Sequence, residues 1–134
     1  MPARDDPCSG RLHPRALAGL LLFNEGRYFE AHEALEDAWR AEPSPVRQLY
    51  QGILQAGVAY LHISRQNYPG AVKVYGRSQR WLKLWPEVCR GVQVGQLRRD
   101  LERAIDEVRR LGPDGLAGFD LSLLKPVVYQ DDES

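Results

Sequence analysis

The chain has 134 residues, with 18 Lys and Arg against 18 Asp and Glu and so no formal net charge. That length fits a single domain spanning residues 1–134, and the 43% apolar fraction is enough for an ordinary core. The charge balance removes any general attraction to nucleic acid or anionic membranes. Cys8 and Cys89 are too few for a disulfide framework or a four-ligand zinc site. No apolar run approaches a membrane span, and the charged start MPARDD is unlike a signal peptide. The expectation is a soluble cytoplasmic protein.

Residues 1–12 read as a loose arm, residues 13–111 as a helical core and residues 112–134 as an irregular tail. Pro14 suits the first turn of a helix, where its missing N–H costs nothing, and that helix runs to about Glu25 before Gly26 stops it. A second helix runs from about Tyr28 to Arg40. Ser44 and Pro45 form a cap and first position for a third, which reaches about Arg65. This third helix is apolar around most of its circumference, as a helix buried on several sides must be. Asn67 caps a fourth, ending near Trp85 before Pro86. In the fifth, from about Gln93, the residues Leu97, Leu101, Ala104, Ile105 and Val108 keep the helical spacing until Gly112 and Pro113 break it. The tail reads as a strap lying on the bundle, and no stretch alternates as a strand would.

An internal repeat appears at an offset of 40 residues: Gly19 with Ala59, Tyr28 with Tyr68, Ala31 with Ala71 and Leu35 with Tyr75. The first copy is also similar to a tetratricopeptide repeat, with Gly19, Gly26, Tyr28, Ala31, Leu35, Ala38 and Pro43 at its small, turn and bulky positions. In the second copy Gln66 stands where that motif has Gly. Two copies are too few for a solenoid. The fold expected is all-α, a compact bundle of about five helices: two antiparallel repeat-like hairpins closed by the C-terminal helix.

On a helical wheel, His32 and Glu36 lie beside Trp39 at the edge of the second helix's apolar arc, with Glu33 nearer solvent. The third helix carries one polar stripe, Gln48, Gln51, Gln55 and His62. Buried polar groups need hydrogen-bond partners, at a cost of about 1–3 kcal/mol for each one left without. The two stripes are each other's nearest candidates, so a buried network of His32, Glu36, His62 and the glutamines is expected. Three roles suit it. It can be a structural network that fixes helix pairing. It can be a metal site, with His32 and Glu36 at i and i+4 and His62 as a third ligand for a divalent ion, although HEALE lacks the second His of HExxH. It can be an acid–base pair, for which no nucleophile is evident. No cofactor is otherwise indicated.

Charge is unevenly placed. Residues 25–42 sum to −4 and residues 65–90 to +5, with Lys73, Arg77 and Arg80 on one helical face. A solvated surface partly paired with the acidic hairpin is the plain expectation; without a glycine-rich phosphate loop, a nucleic-acid partner is not expected. Trp81 and Trp85, four residues apart beside Pro86, suggest a self-association surface and hence a homodimer.

The segments FNEGRYFEAHEALEDAWR and YQGILQAGVAYLHISRQNYPGA together resemble the bacterial and archaeal family called domain of unknown function 309. Phe23-Asn24, Gly26, Tyr28-Phe29, His32-Glu33, Leu35-Glu36 and Trp39, then Gly52, His62, Asn67 and Gly70-Ala71, carry the resemblance over about residues 15–82. It implies a small all-helical fold and no established activity, and marks His32, Glu33, Glu36, Trp39 and His62 for test. The reading favoured is an interaction or scaffold module with a buried His/Glu/Gln network that binds a protein partner or itself. The alternative is a metal-binding or metal-dependent enzyme centred on His32, Glu36 and His62.

Overall fold

Residues 6–130 are described by a computed structural model of the chain. Five helices follow one another: α1 (Pro14–Asn24), α2 (Tyr28–Ala41), α3 (Arg47–Ser64), α4 (Tyr68–Leu82) and α5 (Val94–Gly115). Helix makes up 69% of the structure. Pro14 opens α1 as expected, and the cap is the Nδ1 of His13, which accepts from the N–H of Arg15 at 3.0 Å. Asn67 caps α4 by accepting from the N–H of Gly70 at 3.1 Å. Ser44 accepts from Val46 N–H at 3.3 Å, but Pro45 and Val46 form a turn and α3 starts only at Arg47. Within α5, Gly112 adopts φ 73° and ψ 174°, so the regular helix ends at Leu111, where the glycine and Pro113 were expected to break it.

Each of α1 to α4 packs on the next, and α5 closes the bundle against α4. The 40-residue repeat survives as turn chemistry. In the α1–α2 turn Gly26 takes φ +79°, its N–H donates to Phe23 and the N–H of Arg27 to Leu22. In the α3–α4 turn Gln66 takes φ +59°, its N–H donates to Ile63 and the N–H of Asn67 to His62. Both are helix C-caps closed by a left-handed residue, which glycine adopts freely and glutamine at some cost. Helices α3 and α4 approach closely: a Cβ on Gly52 would stand 2.7 Å from Leu82, and the buried Ser78 hydroxyl donates to the Gly52 carbonyl at 3.1 Å.

Three expectations need correction. First, a two-stranded antiparallel hairpin, β1 (Val88–Cys89) and β2 (Val92–Gln93), joins α4 to α5. Its strands are too short to show alternation in the sequence. Second, Cys8 and Cys89 form a disulfide, with Cα atoms 4.5 Å apart. Third, the arm expected to be loose is tied down from Pro7 onward by that bond and by Arg90, whose backbone N–H donates to the Cys8 carbonyl at 3.0 Å; residues 1–5 of the arm lie outside the described residues.

The tail does form a strap. It passes through two short 3-10 turns, Leu116–Gly118 and Leu121–Leu123. It then lies along the hairpin, where Gln93 N–H donates to Val128 and Gln130 N–H to Gly91, both at 2.9 Å. Asn24 at the end of α1 clasps Val127 in both directions, accepting from its N–H at 2.7 Å and donating to its carbonyl at 3.0 Å. Among the described residues, no helix is long and apolar enough to cross a membrane.

Candidate functional site

Two contacts fix how α2 and α3 lie alongside each other. The Tyr28 and Tyr60 rings meet edge to face at 5.8 Å, and the Arg47 guanidinium sits 4.7 Å over the Trp39 ring while its Nε donates to the Trp39 carbonyl at 3.2 Å. In this antiparallel register Gln51 lies level with Glu36, and Gln55 with His32, along the outer edge of the α2–α3 seam. His62 falls about one turn beyond the start of α2.

The sequence-derived network does not close. Glu36 pairs within its own helix with Arg40, at 3.2 Å. His62 turns the other way, its Nδ1 3.1 Å from the Asn67 side-chain amide. His32 stacks on Phe29, with ring centroids 6.3 Å apart, and its Nδ1 is buried without a hydrogen-bond partner. Glu33, Gln51 and Gln55 make no side-chain hydrogen bond among the described residues. A helical wheel gives the side of a helix but carries no information on register, and register moves His62 out of reach. Among the described residues no group of three His, Cys, Asp or Glu side chains is gathered to hold a metal ion, so His32, Glu36 and His62 do not form the triad the metal reading needed.

Apart from His62, the residues of the two stripes nonetheless share one surface. Trp81 continues it onto α4, half-buried with its Cβ beside Gly52 of α3. Trp85 differs from expectation: it packs against the core with its indole N–H buried and unpartnered, so it is not a free aromatic. The large exposed aromatic on this side is Phe29, 54% exposed. The acidic residues of α2 find partners nearby, Glu30 with Arg27 at 3.1 Å and Asp37 with Arg15 at 3.0 Å. Lys73, Arg77, Arg80 and Lys83 make no ion pair among the described residues; the basic stretch 65–90 meets the acidic stretch 25–42 through Arg90 and Glu42.

A closed polar cluster exists elsewhere, around Glu42 in the α2–α3 loop. Its Oε2 accepts from the Ser44 hydroxyl at 3.0 Å and its Oε1 from the Tyr50 hydroxyl at 3.1 Å. The Arg90 Nη1 stands 3.5 Å away, and the two charged side chains are only 13% and 10% exposed. Arg90 also donates from Nε to the Pro7 carbonyl at 2.7 Å and from Nη1 to the Arg11 carbonyl at 2.9 Å. Tyr50 in turn accepts from the N–H of His13 at 3.0 Å. Burial pushes the Tyr50 hydroxyl up to about 12. For Glu42 burial acts upward, yet the hydrogen bonds from Ser44 and Tyr50 and the charge of Arg90 bring it below the ordinary carboxylate value. Sequence pattern alone does not reveal this cluster: Arg90 is one charge of the basic stretch 65–90, and Tyr50 sits in the apolar third helix. The readable signals were an even pair of cysteines and Gly91 between two short apolar runs; the turn lacks the Asn-Gly or Asp-Gly that marks a hairpin, since Arg90 takes its first position.

Residues 16–74 match the family described as "Domain of unknown function (DUF309)", bearing out the resemblance read from the sequence. The matched span contains α2, α3 and the first half of α4, and therefore most of the open surface. The chain is 39% identical over 75 residues to "Uncharacterized protein YpuF" of Bacillus subtilis (strain 168), a match covering 54% of this chain and 43% of that protein. It is 25% identical over 84 residues to "Uncharacterized protein" of Aquifex aeolicus (strain VF5), covering 62% of this chain and 25% of that one. The chain thus spans less than half the length of the curated relatives it matches.

Proposed function

We propose that the protein is a helical interaction module whose docking face runs across α2, α3 and α4, and that its first partner is a second copy of itself. The observation that carries this reading is the row of polar side chains there, Glu33, His32, Gln51 and Gln55, that make no side-chain hydrogen bond among the described residues. Natural polar groups at the margin of a core are mostly satisfied, so a row left open is hydrogen-bonding capacity held for something outside. Phe29 supplies an aromatic anchor on the same side. Charge favours self-recognition. The α2 edge carries Glu33 and Glu36 while the α4 edge carries Arg77 and Arg80, and a two-fold axis sets each edge against the other.

Sedimentation of the full chain tests this. The expected result is a dimer that Arg77→Glu weakens and that mixing Arg77→Glu with Glu33→Lys restores. A monomer at every accessible concentration overturns self-association. A dimer unmoved by Arg77→Glu, Glu33→Lys and Phe29→Ala removes this face from it.

The Cys8–Cys89 bond favours an oxidising compartment over the cytoplasm expected from the sequence, because cytosolic thiol pools keep cysteines reduced. Thiol alkylation of the protein in intact cells, followed by mass mapping, distinguishes the two.

A further inference from the structure

Between α5 and the C-terminal strap lies a cleft of about 510 Å³, within the range of small-molecule sites. Gln96, Asp100 and Arg103 line one side, spaced by four and three residues so that they share a face of α5. Lys125, Pro126 and Val128 of the strap line the other. The strap is held in place by the Asn24 clasp on Val127 and by the Gln93–Val128 backbone bond, so this wall is built and not loose.

Its chemistry is unbalanced. Asp100 is only 5% exposed, and its one hydrogen bond is accepted from the Gln96 side chain at 2.9 Å. A carboxylate withdrawn this far from water ordinarily has a cation or several donors. Two cations border the same cleft, Arg103 and Lys125; neither forms a close ion pair among the described residues, and Lys125 acts on Asp120 of the tail only at longer range. Behind Asp100 the Tyr60 hydroxyl is buried without a partner; burial first, then the charge of Asp100, raises it above the ordinary phenol value. Val128 stays half exposed and Pro126 exposed, an apolar wall with nothing against it.

We propose that this cleft binds a small zwitterion, an α-amino acid with an apolar side chain, whose ammonium meets Asp100 and whose carboxylate meets Arg103 and Lys125. Opposite charges that border one slot without pairing are complementary to a ligand carrying both signs a few bonds apart. Such a ligand gives Asp100 the charge-assisted donors it lacks and gives the two cations a shared acceptor. Its side chain then lies on Pro126 and Val128. The cleft lies outside the segment matched to the family and away from the docking face, so neither proposal depends on the other.

The test is a titration of the isotope-labelled full chain with L-valine, L-leucine and L-phenylalanine, followed through the backbone amides of Gln96, Asp100 and Val128. At least one of the three is expected to shift these amides saturably, with a dissociation constant of about millimolar or tighter. Its N-acetylated form lacks the ammonium and its carboxamide lacks the carboxylate; each is expected to bind about tenfold more weakly, as is the parent amino acid to Asp100→Asn. Lys125 is exposed, so Lys125→Gln keeps the fold and carries the test if Asp100→Asn does not; it is expected to weaken binding severalfold. Absence of saturable shifts with all three amino acids overturns the proposal. So does equal binding of the N-acetylated form, or binding unaffected by Lys125→Gln together with Arg103→Gln.

Discussion

The Glu42 cluster and the α2–α3–α4 face are made from the same kinds of side chain and come to opposite ends. Around Glu42 a carboxylate, a phenol, a hydroxyl and a guanidinium use one another, and Arg90 reaches the Pro7 and Arg11 carbonyls as well. Across the face, among the described residues, Gln51 and Gln55 make no side-chain hydrogen bond and His32 has a buried nitrogen with no partner. The first arrangement joins parts of the chain distant in sequence, namely the arm, the α2–α3 loop and the β-hairpin. The second joins nothing internally. Polar residues that hold a fold together are spent within it, and those that meet a partner are left unspent. On that distinction, damage to the cluster shows as lost stability and damage to the face as lost association.

The largest effect is expected from Arg90→Ala. It leaves Glu42 buried beside Tyr50 without a counter-ion and frees the arm carbonyls, and breaking a buried pair from one side costs about 3–5 kcal/mol. Denaturant unfolding measures this. A loss below about 1 kcal/mol, typical of an exposed pair, makes the cluster ornamental and removes the contrast. Next comes the disulfide. Its 81-residue separation closes a long loop in the unfolded chain, and Cys8→Ser is expected to cost about 2–4 kcal/mol. Thermal unfolding with and without a strong reductant checks it: the wild type should fall to the level of Cys8→Ser, and Cys8→Ser should not respond to reductant.

Acidification probes the cluster more gently. Glu42 titrates below its ordinary value in the folded protein. Its contribution is therefore complete above the unfolded carboxylate value of about 4.3 and is lost as pH falls from there through the lower folded value. Stability of the wild type is expected to decline over that window, and Glu42→Gln, less stable at neutral pH, should decline less steeply. Parallel declines would mean that other carboxylates govern the acid limb.

Helix α5 was legible because it buries one face, and burial writes a period of three and four into Leu97, Leu101, Ala104, Ile105 and Val108; α3 was legible because it is apolar around most of its circumference. Punctuation was equally legible: Pro14, Gly26 and Gly112 act where their backbone preference is needed, and Asn67 where a side-chain cap is needed. The Glu42 cluster was not legible. Its members stand at positions 13, 42, 44, 50 and 90, and no local pattern joins them. They meet because a two-residue hairpin turn, with Arg90 at φ +49° and Gly91 at φ +83°, projects Arg90 back beneath the arm that Cys8 pins. The face was half legible. A wheel gives the side of a helix, so His32, Glu36 and Trp39 and the glutamine stripe were assigned to neighbouring flanks; the Tyr28–Tyr60 and Arg47–Trp39 contacts then set the register that separates His62 from His32.

The smallest effect on stability is expected on that face. His32→Ala removes no internal hydrogen bond, since Nδ1 has none to lose, and gives up only its stacking on Phe29. Gln55→Ala likewise breaks no side-chain hydrogen bond among the described residues. Each is expected to change unfolding by no more than about 0.5 kcal/mol, the range of surface substitutions away from special features. The same two changes are expected to weaken the dimer, because their hydrogen-bonding groups are satisfied only there. Measuring both quantities on the same preparations separates the roles. A loss of about 1–3 kcal/mol in His32→Ala without a change in association is the behaviour of a buried network member. It would place His32 with Glu42 and Arg90 on the structural side of the comparison and leave the docking face to Phe29 and the charged edges.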